Sequence, residues 1–229
     1  MRDLPLARTA SIQREYEGKM EELADLDRYG MRPILAALEA TGQLANTVIF
    51  FTSDNGYMLG EHRLVKKDQP YWESSEVPFF VKGPGIRKGA SSALVNHTDL
   101  MPTTCEIAGI NPSTLDVDGR SMLANLGQGA FTNWRRRMLV TGSADVGPEL
   151  NPGGSNDPSG RWWLLREGPK AFILRENGAK ELYRMGTDPY QRWNKARTAD
   201  PALIERLTDT VKAMRQASGQ ARRRLEAAP

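Results

Sequence analysis

The apolar run Thr47-Val48-Ile49-Phe50-Phe51, followed after Thr52 by Ser53-Asp54-Asn55-Gly56, constrains the fold of this chain more than any other stretch. A short run of β-branched and aromatic residues bounded by polar ones predicts a buried strand. Upstream, Ile12, Tyr16, Met20, Leu23, Ile34, Leu35 and Leu38 recur at helical spacing, with Ser11 the expected N-cap and Gly42 the expected stop. Gly30 and Pro33 interrupt the pattern and predict a kink, or two helices joined near Tyr29-Arg32. A helix, a tight turn at Gln43-Asn46 and a strand read as half of a βαβ crossover, so the predicted fold class is α/β. In open α/β sheets, ligands sit beyond the carboxyl ends of strands. Asp54 and Asn55 would deliver two hard oxygen donors there, the kind Ca²⁺ or Mg²⁺ requires. Gly56 is expected to turn the chain away through a positive φ. The same tetrapeptide is also an ordinary turn sequence.

Tyr57–Ser75 has no clean period and is long for a simple connection, a length at which loops are often functional. Val77–Val81 predicts a second strand, ended by the turn Lys82-Gly83-Pro84-Gly85. Ala93-Leu94-Val95 is expected to form a short strand. Thr98 or Asp99 is expected to cap a helix through Ile107 that Gly109 stops, and Pro112 to Leu126 to be irregular. From about Ala130 the texture changes. Met138–Thr141, Trp162–Arg166, Ala171–Arg175 and Lys180–Tyr183 read as strands, with Glu167-Gly168-Pro169 and Asn177-Gly178 as turns. Gly142–Gly160 reads as a long mobile loop. Asp200-Pro201 opens a helix with Leu203, Leu207, Val211 and Met214 on one face. The division is therefore 1–129 and 130–229, the second part a small antiparallel sheet packed with one helix.

A net charge of +3 gives no reason to expect nucleic acid. Arg135-Arg136-Arg137 and Arg222-Arg223-Arg224 lack interleaved aromatics and are expected at the solvated surface. The single cysteine, Cys105, excludes an intramolecular disulfide and a cysteine zinc cage, and its apolar-periodic surroundings predict a buried, inert thiol. No run reaches the roughly 18 apolar residues of a membrane span, so no membrane partner is expected. Met1-Arg2-Asp3-Leu4-Pro5 lacks the apolar segment of a signal peptide, which leaves the compartment open. Trp162 and Trp163 are neighbours on a strand and point to opposite faces, so one is expected in the core and one at the surface.

Between Ser53 and Pro84 the sequence resembles the sulfatase family of the alkaline-phosphatase superfamily. The resemblance rests on Thr52-Ser53-Asp54-Asn55-Gly56-Tyr57-Met58-Leu59-Gly60-Glu61-His62, then Lys67, Tyr71, Glu73, Ser74, Val77-Pro78 and Gly83-Pro84-Gly85. It continues through Leu94–Thr103, which carries Asp-Leu-x-Pro-Thr, and through Asp118-Gly119-Arg120-Ser121. It extends to Glu181-Leu182-Tyr183, Asp188-Pro189 and Asn194. It implies the C-terminal half of the family architecture: part of a large mixed sheet with flanking helices, plus the small C-terminal sheet. It implies that Asp54 and Asn55 ligate a divalent cation, Ca²⁺ in preference to Mg²⁺. It also implies that Lys67, eleven residues before Pro78, contacts the sulfate as the catalytic and substrate-binding lysine. His62 is implied in the pocket wall, while His97, Glu73 and Glu76 read as structural. The implied substrate is a small sulfate ester or a sulfated glycan.

Sulfatases hydrolyse through a formylglycine made in a Cys/Ser-x-Pro-x-Arg motif, and none of the 229 residues forms one. Two oxygen donors also fall short of the roughly six to eight a Ca²⁺ site takes, so the cation site reads as incomplete. The expectation is a truncated or split sulfatase, inactive alone, with a missing N-terminal half as its partner. A phosphonate or phosphate monoester hydrolase of the same superfamily is the alternative, disfavoured because those relatives often carry Asp-His where this chain has Asp54-Asn55. A non-catalytic module binding a sugar or a partner through the Trp-rich C-terminal sheet is the other.

Overall fold

The computed structural model describes residues 6–143 and 160–228. The start at residues 1–5 and most of the loop expected at 142–160 lie outside the described residues. The chain divides into two compact units, one ending at Pro84 and one beginning at Gly85.

The first unit opens with α1 (Leu6–Asp25), passes through a π-helical turn at Leu26–Met31 and continues as α2 (Arg32–Ala40). The interruption falls where Gly30 and Pro33 predict it, and a π turn absorbs it without ending the helix. Ser11 lies inside α1 and caps nothing, because the helix begins upstream of it. Gly42, at φ 70°, terminates α2, with its N–H donating to the Glu39 carbonyl at 2.9 Å. β1 (Ile49–Thr52) follows a 3₁₀ turn at Leu44–Asn46. Its partner is β4 (Phe79–Lys82), paired antiparallel with Phe51 opposite Phe80. The helix–turn–strand order expected upstream of Asp54 is present, in keeping with the α/β class, and the direction of the β1–β4 pair is something an apolar run does not encode. β1 is half-buried along its length, and Phe80 is 64% exposed. The connecting segment holds β2 (Met58–Leu59) and β3 (Val65–Lys66), paired antiparallel, and the single-turn α3 (Trp72–Ser75).

In the second unit, α4 (Leu100–Ile107) is entered through a 3₁₀ turn at His97–Asp99. Asp99 stands at the N-cap position of α4, as expected, but its side chain makes no cap bond there; instead it closes a capping box with Asn96, the cap of the 3₁₀ turn. Ala93-Leu94-Val95 forms no strand. α5 (Leu123–Gln128) interrupts the stretch expected to be irregular. The antiparallel sheet β5 (Arg137–Ser143), β6 (Arg161–Glu167), β7 (Lys170–Arg175) and β8 (Lys180–Arg184) runs in sequence order. α6 (Pro201–Gln216), capped by Asp200, lays Leu207, Val211 and Met214 on Leu139, Trp163, Leu165, Phe172 and Leu182. Trp162 and Trp163 are both buried, at 4% and 7% exposure, which corrects the one-in, one-out expectation. Gly142 lies beneath the Trp162 indole, where a Cβ would overlap the ring, and the Arg215 guanidinium sits 3.7 Å from the Trp163 ring centroid.

A further helix, α7 (Gly219–Ala227), closes the chain, and it overturns the surface reading of the arginines. The Arg135 side chain is fully buried and forks onto Asp99, at 2.9 Å to Oδ2 and 2.5 Å to Oδ1. Its Nε lies 3.0 Å from Glu226 of α7, which also receives Arg120 at 3.3 Å. Arg223 donates to the carbonyls of Val117 and Gly119. Arg137 is buried beside Glu167 at 3.4 Å, while Arg136 and Arg224 remain exposed. Basic runs read as solvated surface only when no carboxylates fold against them, and here the carboxylates come from distant sequence. Cys105 is partly exposed rather than buried. Among the described residues, no helix is long and apolar enough to cross a membrane.

Candidate active site

The Asp54-Asn55-Gly56 turn leaves the carboxyl end of β1, as the sequence predicts for a ligand-bearing position. Gly56 is required for a different reason than expected. Its φ is not positive; instead it packs against α3, donating its N–H to the Ser74 carbonyl at 3.0 Å. A Cβ there would overlap the Glu73 carbonyl oxygen and come within 2.9 Å of that of Glu76. The turn is thus fastened to α3 through its backbone.

Asp54 is exposed, and its Oδ1 accepts the Asn55 N–H at 2.9 Å. The Asn55 amide is oriented at both ends. Its Nδ2 donates to the Gly56 carbonyl at 2.8 Å, and its Oδ1 accepts Lys67 Nζ at 3.1 Å. The structure therefore brings together Asp54, Asn55 and Lys67, while Lys66 belongs to β3 and makes no contact with Asn55. The ammonium sits on the oxygen that a cation would use. The chemistry of these oxygens suits a hard divalent cation, but they fill two positions of its shell. Among the described residues, no group of three His, Cys, Asp or Glu side chains could complete it.

The segment bearing Lys67 is held in unusual backbone geometry. His62, Arg63, Lys66 and Asp68 all have left-handed φ values, of 52°, 64°, 72° and 67°. Each such residue costs on the order of 1–3 kcal/mol and persists only where its surroundings enforce it. His62 is half-buried and stacks on the buried Tyr71 ring, with centroids 3.8 Å apart and planes at 10°. The Gln69 N–H donates to Ser74 Oγ at 3.1 Å, tying the segment to α3. Tyr71 and Ser74 are the supporting residues that individual side-chain chemistry did not single out. Burial, followed by the nearby Glu61 carboxylate, pushes the Glu73 carboxyl above its ordinary range. Burial, then the Glu15 contact, pushes the Tyr57 phenol up to about 12.

The fold that carries these residues is shared with solved proteins of the alkaline-phosphatase superfamily. A sequence model of the Sulfatase family matches residues 24–110. Human N-acetylglucosamine-6-sulfatase is 31% identical over 210 residues, covering 81% of this chain and 38% of that protein. A solved enzyme bound to its substrate D-glucosamine-2-N,6-O-disulfate superposes with a TM-score of 0.64 at 27% identity, covering 79% of this chain and 35% of that one. The phosphonate monoester hydrolase of Agrobacterium radiobacter superposes with a TM-score of 0.63 at 25% identity, covering 80% and 38%. The chain belongs to the sulfatase family. It spans well under half the length of the curated relatives it matches.

Proposed function

We propose that this chain carries the cation-binding and sulfate-contacting residues of a sulfate-ester hydrolase acting on a sulfated sugar. Residues 1–129 would belong to the catalytic region and 130–229 to its C-terminal subdomain. The observation that supports this most directly is the 3.1 Å contact between Lys67 Nζ and Asn55 Oδ1, which sets an ammonium beside the Asp54-Asn55 pair. Lys67 would bind a non-bridging sulfate oxygen and stabilise the charge that builds there as the ester bond breaks. Asn55 would aim that ammonium, and the His62–Tyr71 stack would hold the segment that presents it. A divalent cation at Asp54 and Asn55, calcium in preference to magnesium, would supply further stabilisation of that charge when bound.

The sequence holds no Cys/Ser-x-Pro-x-Arg, so the chain alone is proposed to be inactive and to act with a segment that supplies the nucleophile. The test joins the chain to a nucleophile-bearing sulfatase segment and measures aryl sulfate turnover with metal in excess. Lys67→Ala should lower turnover by roughly 10²–10³, as loss of one transition-state donor does, while Lys66→Ala should leave it nearly unchanged. A greater loss with Lys66→Ala would refute the assignment. Equal turnover of an aryl phosphonate would favour the phosphonate hydrolase reading instead.

A further inference from the structure

A cavity of about 500 Å³ opens beside β8 and the start of α6, within the C-terminal unit. Its size falls in the range of small-molecule sites, roughly 300–1,000 Å³. Leu182 and Leu203 line it together with Trp193, and Lys170, Arg184 and Lys195 add three cations. Its two carboxylates are already engaged. Asp188, buried, accepts the backbone N–H groups of Arg192 at 2.9 Å and Trp193 at 3.0 Å. Asp200 caps α6 through the Ala202 N–H at 3.0 Å. The cations are less committed. Lys170 reaches Glu167 only at 3.7 Å, and that carboxylate is already forked by Arg206 at 2.7 and 3.0 Å. Arg184 and Lys195 are exposed, and among the described residues no acidic side chain pairs with either.

The aromatic wall is displayed under constraint. Gln191, 2% exposed, has a left-handed φ of 49° and donates its N–H to the Asp188 carbonyl at 3.1 Å. This buried anchor leaves Trp193 56% exposed and Tyr190 66% exposed beside it. The large indole is more than half-exposed, with the Arg192 guanidinium 5.5 Å from its ring centroid. Set at a cavity lined by apolar side chains, with Arg184 and Lys195 lacking acidic partners among the described residues, it matches a ligand with an apolar ring face and an anionic substituent.

We infer that this cavity is a sugar-binding site for a sulfated pyranose, formed by residues that take no part in the Asp54–Lys67 cluster. The C–H face of the ring stacks on Trp193, and the sulfate pairs with Arg184 and Lys195, with Lys170 at the margin. The choice of sulfate and sugar as the anion and ring rests on the proposed function, while the cavity shares no residue with the cluster that function invokes.

The test is a titration of the full chain with glucose 6-sulfate, glucose and sodium sulfate, followed by the Trp193 indole N–H resonance. The expected result is saturable binding of glucose 6-sulfate, at least tenfold tighter than either control. Trp193→Ala should weaken it at least tenfold, as should Arg184→Glu with Lys195→Glu. Lys67→Ala should leave it unchanged. All three cavity residues are exposed, so the variants keep the fold, which far-UV circular dichroism checks. Absence of saturable binding, equal affinity for glucose or for sulfate alone, or loss of binding in Lys67→Ala would each overturn the site. Failure of the catalytic reading would appear in turnover and leave this titration as it is.

Discussion

Asp99 is the residue whose removal should cost this chain most. Its side chain is fully buried, and four donors converge on it. They are the backbone N–H groups of Asn96 and Arg120, each at 2.9 Å, and the two terminal nitrogens of Arg135 at 2.9 and 2.5 Å. With Glu226, it balances the charges of Arg120 and Arg135. Asp99→Ala leaves a buried cationic excess and strips two backbone donors of their acceptor. Breaking a buried pair from one side typically costs about 3–5 kcal/mol. Arg135 keeps Glu226 at 3.0 Å, which favours the lower part of that range. Even so, the loss would be a large share of the roughly 5–15 kcal/mol that stabilises a domain. The assay is urea unfolding followed by far-UV circular dichroism, with the slope checked for constancy. Asp209→Ala is the control, because its pair with Lys212 lies at 3.2 Å with side chains 60–64% exposed; exposed pairs contribute about 0–1 kcal/mol. Glu226→Gln should fall between the two and serves if Asp99→Ala does not fold. A midpoint for Asp99→Ala matching that of Asp209→Ala would refute the reasoning.

Gly56→Ala should destabilise the first unit by about 1–3 kcal/mol, the usual cost of overpacking, because its methyl would meet the Glu73 carbonyl; a neutral urea midpoint would show that α3 yields. The Arg206 hydrogen bonds hold the Glu167 carboxyl below its ordinary range. Its contribution is therefore present above the unfolded carboxylate pKa and lost as pH falls through the folded one; Glu167→Gln should flatten that acid limb of a melting-temperature profile. The exposed apolar side chains of Tyr16, Met20, Leu23, Ile34 and Phe80 should make the chain self-associate. Sedimentation should show concentration-dependent oligomers that Leu23→Glu with Phe80→Glu reduces, and a monodisperse wild-type monomer would contradict this.

The C-terminal sheet was legible because its determinants are local. Gly168 and Gly178 take left-handed φ values of 51° and 86° at the predicted turns, and short continuous apolar runs mark the strands between. The Asp54-Asn55-Lys67 cluster was legible through motif spacing. What escaped reading depends on contacts between distant residues. Arg135 finds Asp99 across 36 positions and Arg120 finds Glu226 across 106, so neither pairing leaves a trace in any local window. α7 was missed for a related reason: its sequence, Gly-Gln-Ala-Arg-Arg-Arg-Leu-Glu-Ala, has almost no apolar stripe. Ion pairs and carbonyl contacts hold it, with Leu225 as its apolar contact to the core. The antiparallel direction of β1 and β4 was equally invisible, since side-chain chemistry is the same for both directions.

The motif residues separate by what their polar atoms face. Asp99, Thr103, Gly119 and Arg120 turn theirs inward. The Met122 N–H donates to Thr103 Oγ1 at 3.0 Å, and a Cβ at Gly119 would overlap the Thr98 carbonyl. The Asp99 carboxylate and the Thr103 hydroxyl are answered from within the protein. Asp54, Asn55 and Lys67 behave in the opposite way: Asp54 and Lys67 are exposed, and Asn55 is half-buried. Asp54 in particular accepts through Oδ1 and leaves Oδ2 without a hydrogen bond among the described residues. Conformational strain of several residues is then spent on the segment that aims Lys67, although no burial is gained at the lysine itself. Around it Leu64, Gln69, Pro70 and Tyr71 are buried, and that packing holds the strained residues in place. We propose that a bound oxyanion answers the exposed Lys67 ammonium that this packing presents.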